Sequence, residues 1–283
     1  MRLPAFCLAL ALCAAVPLAA WGPKGHRIVA TLALQDLPPD LAEWFQGRAD
    51  VFKEHVNEPD HWKASDPQEG PRHYLDCEAY GGPGRVPLSR AAAERRLGPE
   101  AFQHDGQVPW TIQDRVQELA QAFRDGDPDQ VAFRAAILCH YVGDISVPLH
   151  TTENYDGQLT GQQGVHKRWE SGLVERLGSW DPEPMPLEPA GADAPFQWLR
   201  ASYTLVPGLL ADDQAASQLG SPDASRNAWD SPYWSEFNRR QGPHVKEQLV
   251  LAGQRTAEMI LLAWESAGRP TALGHAGAES RRI

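Results

Sequence analysis

The sequence predicts an all-α protein, a single compact multi-helix domain with long loops. Apolar residues recur at helical spacing in Ile28–Leu37, Ile112–Phe123, Val131–Val142, Trp169–Leu177 and Leu249–Trp264, while alternating strand patterns are nearly absent. The Gly- and Pro-rich stretches Gly81–Pro87 and Trp180–Pro195 read as loops, because Pro cannot donate the helical hydrogen bond and Gly weakens a helix.

Residues 1–20 stand apart from that domain. Met1-Arg2 followed by apolar Leu3 to Leu18 has the layout of a secretory signal peptide and is too short to span a membrane. The small residues Ala19-Ala20 offer a cleavage site before Trp21, and Leu12 beside Cys13 fits a lipoprotein acceptor poorly. The expectation is a secreted or periplasmic, unlipidated mature chain starting at Trp21. Further along, Thr111 with Gln113-Asp114 approximates a helix start. Asp127-Pro128-Asp129 supplies an acceptor cap and a first-turn Pro for the next helix, which should end before Pro148. Residues 21–268 make the domain, and 269–283 are expected to form a disordered tail.

Removing 20 of the 283 residues leaves 263, enough for one large domain with a substantial core. No internal repeat, second apolar span or segment marking a stable protein partner is visible. The net charge of -11 becomes -12 without Arg2, so the bare polypeptide repels phosphate backbones and anionic membranes. Bound divalent cations would reverse that sign locally. Cys77 and Cys139 remain in a compartment that permits disulfides; they either bridge or serve as two small buried hydrophobes.

The chemistry concentrates on the helix ending before Pro148. His140 and Asp144 lie four apart, so they project from one helix face, and His150 follows just past the Pro-terminated end. Imidazole and carboxylate at that spacing can hold one metal. A single such pair is more often a surface hydrogen-bonded pair, but the geometry recurs at His166 and Glu170. Two further clusters are Trp21-Gly22-Pro23-Lys24-Gly25-His26, and Asp60-His61-Trp62-Lys63 followed by Arg72-His73-Tyr74-Leu75-Asp76. Each residue alone also has a bland reading as a capping Asp, solvated Glu or satisfied His.

With these motifs in order, the chain from Trp21 to about Arg269 resembles the superfamily that joins the fungal and plant single-strand-specific zinc nucleases to the bacterial zinc phospholipases C. The resemblance implies about three zinc ions per chain. It assigns Trp21, through its own amino nitrogen and carbonyl oxygen, and His26 to one zinc; Asp60, His73, His140 and Asp144 to another, with Asp144 bridging the two; and His150, His166 and Glu170 to the third. The α-amine of a chain starting at Trp21 would be available near neutral pH, since its ordinary pKa is about 8. His55, His61, His104, His244 and His275 match no ligand position and read as surface or ordinary core residues.

Two metal ions about 4 Å apart suit phosphodiester hydrolysis, because they stabilise attacking and leaving oxygens and lower the pKa of water. Asp60 could also orient or deprotonate that water. By the same resemblance, Lys63 stands where the nucleases carry an Arg that steadies phosphate charge, Tyr74 where an aromatic stacks on the base, and Asp76 where a carboxylate hydrogen-bonds it. The plain alternatives are an exposed, solvated Lys63 and a Tyr74 packed in the core beside Cys77. The N-terminal block favours a nuclease or 3'-nucleotidase acting on single-stranded nucleic acid or nucleotides, whereas Glu170 after a short span from His150 matches the phospholipases C and a phospholipid substrate. A secreted zinc-binding protein without catalysis is the alternative of another class.

Overall fold

The computed structural model describes residues 21–222 and 230–272, so the signal-peptide segment and residues 273–283 of the expected tail lie outside it. Five long helices carry the fold among the described residues: α1 (Gly22–Gln35), α2 (Val108–Asp125), α3 (Pro128–Ile145), α4 (Ala194–Ser217) and α5 (Pro232–Ser266). Shorter helical turns link them. No strand is formed among the described residues beyond one isolated bridge between Leu75 and Gly106.

The chain starts α3 with the expected cap. The Asp127 carboxylate accepts from the N–H groups of Asp129 at 3.0 Å and Gln130 at 3.2 Å, and Pro128 occupies the first turn. Gly126, at φ 71°, closes α2 just before it, donating to the carbonyls of Ala122 and Phe123. So short a link lays α2 directly against α3, and α5 packs against α1, α2, α3 and α4. Every residue of α3 from Ala135 to Ile145 is buried. An apolar helix surrounded on all sides becomes the axis of the domain, and here it carries His140 and Asp144 inside with it.

Several expectations need correction. α2 begins at Val108 rather than near Thr111; Pro109 occupies its first turn, where the missing N–H costs nothing. α4 was not foreseen, and it absorbs Ala194 and Pro195 from the end of the expected loop, again with Pro in the first turn. α5 runs well ahead of Leu249, from a Ser231 cap through an internal Pro243. Both Pro207 in α4 and Pro243 in α5 would read as helix breakers in isolation, but tertiary packing overrides a local preference of this size. The expected Trp169–Leu177 helix contains a π-helical turn, Arg168–Gly172, and ends at Glu175. Cys77 and Cys139 are both buried and unpaired, so they act as small hydrophobes rather than a bridge.

Just past Gly268 the chain is held. The Pro270 carbonyl accepts from the indoles of Trp264 at 2.8 Å and Trp44 at 3.1 Å, and Arg269 lies over the Trp264 ring. Replacing Asp127 by Ala should remove the α3 cap and lower stability by about 1 kcal/mol, read as a lower midpoint in urea unfolding. Metal content should stay at the wild-type value, because Asp127 lies at the end of α3 remote from His140 and Asp144.

Candidate metal centre

α3 presents His140 and Asp144 from its last turns, and α1 brings His26 to them. The close approach depends on Gly143, where a Cβ would sit 3.1 Å from His26 Nδ1 and 3.3 Å from Trp21 Cδ1. Trp21 is fully buried at the N-terminal end of α1, its indole donating to the Gly143 carbonyl at 2.7 Å and its rings packed 5.1 Å from those of Trp169. Gly25 makes room for it, since a Cβ there would meet the Trp21 Cβ at 2.8 Å.

Among the described residues, three groups place possible ligand atoms within 4.8 Å of one another: His26, Asp60 and His140; His73, His140 and Asp144; and His150, His166 and Glu170. All eight side chains that the motifs nominated converge, and Trp21 stands beside them. His73 Nδ1 lies 2.8 Å from Asp144 Oδ2 and 3.1 Å from His140 Nε2. His26 Nε2 is 3.5 Å from Asp144 Oδ1, and its ring stacks on that of His140 at 4.0 Å. His166 Nε2 and Glu170 Oε2 are 2.8 Å apart, and His150 Nε2 is 3.7 Å from the same oxygen. The π-helical turn sets the His166–Glu170 relation, as π-turns often do at functional sites.

Several of these atoms are buried and make no hydrogen bond. Both nitrogens of His26, Asp144 Oδ1, His150 Nε2, His166 Nε2 and Glu170 Oε2 make no hydrogen bond within the protein. Each such atom costs about 1–3 kcal/mol if nothing satisfies it, and a cation would satisfy all of them together. Burial pushes the imidazoles of His26, His73, His140 and His150 down and that of His166 down to about 4, so all are neutral donors. The same burial pushes the carboxyls of Asp144 well up and of Glu170 up to about 7. Neutral imidazoles with carboxylates short of a counter-charge fit zinc. The outer nitrogens are oriented by the protein, His140 Nδ1 donating to the Val56 carbonyl at 2.8 Å and His150 Nδ1 to that of His73 at 2.7 Å.

Beside the cluster opens a cleft of about 480 Å³ whose lining includes Lys63, His73, Tyr74, Asp76, His150 and His166. Lys63 is not solvated: its side chain is 13% exposed, and Nζ lies 2.7 Å from Asp60 Oδ1. Nor is Tyr74 packed in the core, because it is half-buried on the cleft wall with its hydroxyl donating to the His104 carbonyl at 2.6 Å. Asp76 is pushed up to about 7, first by burial and then by Asp105 and Glu78. His61 and His244 are exposed as expected, and His275 lies outside the described residues. His104 lines the cleft with an exposed ring held 2.7 Å from Asp105, a placement its sequence context did not signal. The sequence reading also missed Gly143, Tyr155 on the cleft wall, and the buried Glu69; only Glu69, four before His73, carries a spacing that could have flagged it.

The S1/P1 nuclease family matches residues 21–185, more than half of the 283-residue chain. The chain belongs to the S1/P1 nuclease family. No curated protein gives a significant match. The alpha toxin of Clostridium absonum shares the fold with a TM-score of 0.53 at 11% identity over 84% of this chain. An alpha-toxin of Clostridium perfringens from an avian strain gives 0.50 at 13% identity over 88% of it. This chain spans 63% and 65% of those two toxins, which are therefore guides to its fold alone. Among the described residues no helix is long and apolar enough to cross a membrane.

Stripping metal from the purified protein with a strong chelator should leave the buried polar atoms unsatisfied. The expected outcome is a fall in Tm on the order of 10 °C, reversed by zinc. An unchanged melting curve after complete metal removal would show that the cluster is satisfied without an ion.

Proposed function

We propose that this protein is an exported zinc-dependent phosphoesterase, a nuclease or 3'-nucleotidase that hydrolyses phosphoester bonds of single-stranded nucleic acid or nucleotides. The observation that carries this reading is a cleft in which Lys63, Tyr74 and Asp76 stand directly beside the buried, partnerless ligand atoms. Membership of the S1/P1 nuclease family supports it. A purely zinc-storing protein would have no use for a cleft with a cation and an aromatic at the metals.

About three zinc ions would be held by Trp21, His26, Asp60, His73, His140, Asp144, His150, His166 and Glu170, with the Trp21 nitrogen freed by signal cleavage. When bound, they supply Lewis-acid stabilisation of phosphate oxygens and water of lowered pKa. The chain's own residues then position and exchange protons. Asp60, 15% exposed and 2.7 Å from the cleft-lining Lys63, orients the attacking water and takes up its proton. Lys63, tethered to Asp60, faces the developing phosphate charge as a point charge without the bidentate fork of Arg. Tyr74, immobilised through its hydroxyl, offers a ring face to the base. Asp76 is a carboxylate able to accept from the base N–H groups chiefly above about pH 7, where its raised pKa leaves it ionised.

A phospholipid substrate is the second reading. It is favoured by Glu170 as the carboxylate of the third group and by the short span between His150 and His166. Parallel assays of the mature protein on single-stranded DNA, RNA, 3'-nucleotides and phosphatidylcholine separate the readings. Activity confined to phosphatidylcholine would overturn the nuclease assignment.

Tyr74→Ala should raise KM on single-stranded nucleic acid by roughly 5- to 150-fold, corresponding to about 1–3 kcal/mol of lost stacking. Hydrolysis of a small activated phosphodiester, which has no base, should change little; equal losses on both substrates would mean that Tyr74 only buttresses the metal cluster. A second variant tests the terminal ligand. One Met added before Trp21 converts its amine to an amide, and the expected result is lower zinc occupancy by metal analysis and slower turnover. Full zinc content and full rate in the extended protein would remove Trp21 from the ligand set.

A further inference from the structure

Glu69 is a carboxylate that the ligand set leaves unexplained. It is fully buried at the head of the turn Gly70–His73. Its Oε1 accepts the hydroxyl proton of Tyr141 and lies 3.2 Å from Nε2 of His73, while Oε2 accepts from Arg72 at 2.5 Å. The opposite ring nitrogen of His73, Nδ1, faces Asp144 Oδ2 at 2.8 Å and His140 Nε2 at 3.1 Å.

We propose that Glu69 is a positioning residue that fixes the tautomer of His73, placing the proton on Nε2 so that the Nδ1 lone pair is presented to the metal group. The proposal rests on reading His73 as a zinc ligand. A neutral imidazole carries one ring proton, and either nitrogen can hold it. Only the unprotonated nitrogen can bind a metal. An ionised carboxylate has no proton to donate; with Nδ1 and Asp144 both turned to the metal group, the nitrogen left facing Glu69 is the donor. Tyr141 and Arg72 approach Glu69 as donors too, and the adjacent guanidinium supplies the positive charge that a buried carboxylate needs.

The comparison with its neighbours sharpens the assignment. His140 and His150 hold their outer protons against backbone carbonyls, those of Val56 and His73. His73 instead meets a charged acceptor, which raises the basicity of the metal-facing nitrogen. Tyr141 follows His140 on α3, so the same two-residue step places one ring in the cluster and anchors the carboxylate that orients another. Gln107 N–H donates to the Pro71 carbonyl at 2.7 Å, pinning the turn between Glu69 and His73 to the start of α2.

The test uses the mature, zinc-loaded protein with Glu69→Gln, Arg72→Met and His73→Ala, each checked for helical content by circular dichroism. Zinc affinity is read by competition with a chromophoric chelator, and ligand geometry by the visible spectrum after cobalt substitution. Glu69→Gln should weaken zinc binding about 10- to 100-fold and shift the cobalt spectrum, because the amide can donate to Nε2 and favour the other tautomer. Arg72→Met removes the guanidinium that supports the buried Glu69 carboxylate and should weaken zinc binding in the same direction as Glu69→Gln. Wild-type affinity and spectrum in Glu69→Gln would overturn the positioning role while leaving His73 a ligand. No loss of zinc in His73→Ala would overturn both. A measurement on the unmutated protein is independent of folding in any variant: imidazole nitrogen NMR should find the His73 proton on Nε2, and a proton on Nδ1 would refute the proposal.

Discussion

The domain is organised by one conflict, the burial of metal-seeking side chains on a helix that has no exposed face over its second half. From Ala135 to Ile145 α3 is surrounded by other elements, and His140 and Asp144 go inside with its apolar residues. They lie away from bulk water there, and Asp144 Oδ1 and both nitrogens of His26 make no hydrogen bond within the protein. The packing around α3 therefore serves two ends. It buries the aliphatic surface that stabilises the fold, and it excludes water from a group of donors that one class of ligand, a cation, can satisfy collectively.

The opposed pKa shifts at the centre share a cause. Burial disfavours charge of either sign, so it drives the imidazoles down and the carboxyls of Asp144 and Glu170 up. Within an ion-free pocket the two shifts look contradictory in purpose. Toward a cation they act together, because lowered imidazoles are unprotonated and raised carboxyls are those with most to gain from positive charge. Orientation comes from outside the ligand set. The Val56 and His73 carbonyls hold the outer nitrogens of His140 on α3 and His150 just past its end, and Glu69 faces that of His73 in the turn Gly70–His73.

A net charge of -11 opposes approach of polyanions, and the cleft sets Lys63 and Tyr74 beside Asp66 and Asp76 at the metal group. Lys63 is tied to Asp60 and Tyr74 to the His104 carbonyl, so neither side chain must be ordered by substrate. Such preorganisation lowers the cost of binding. It also divides labour in the proposed enzyme: the cluster acts on the phosphoester, and the adjoining wall chooses what is attached to it.

The all-α class was legible because helical periodicity is local, and so was the α3 cap at Asp127, where an acceptor precedes a Pro at a fixed offset. The metal-seeking residues were legible for a related reason, since His140 with Asp144 and His166 with Glu170 share helix faces whatever the rest of the chain does. Other features needed the tertiary structure. Pro207 and Pro243 sit inside helices because packing outweighs the local penalty, and α4 is invisible to a reading that treats each Pro as a stop. Lys63 and Tyr74 each had a plain alternative in sequence, and burial removed both: Lys63 is not an exposed, solvated Lys and Tyr74 is not packed in the core. Glu69 and Gly143 matter through residues distant in sequence, the one through Tyr141 on α3 and the other through His26 and Trp21 on α1. Sequence alone determined which His and carboxylate residues share helix faces, because residue type and helical spacing are local properties. Only the folded chain decided how those atoms face one another and that a buried carboxylate, Glu69, stands behind His73, because distance and burial are set by packing between segments.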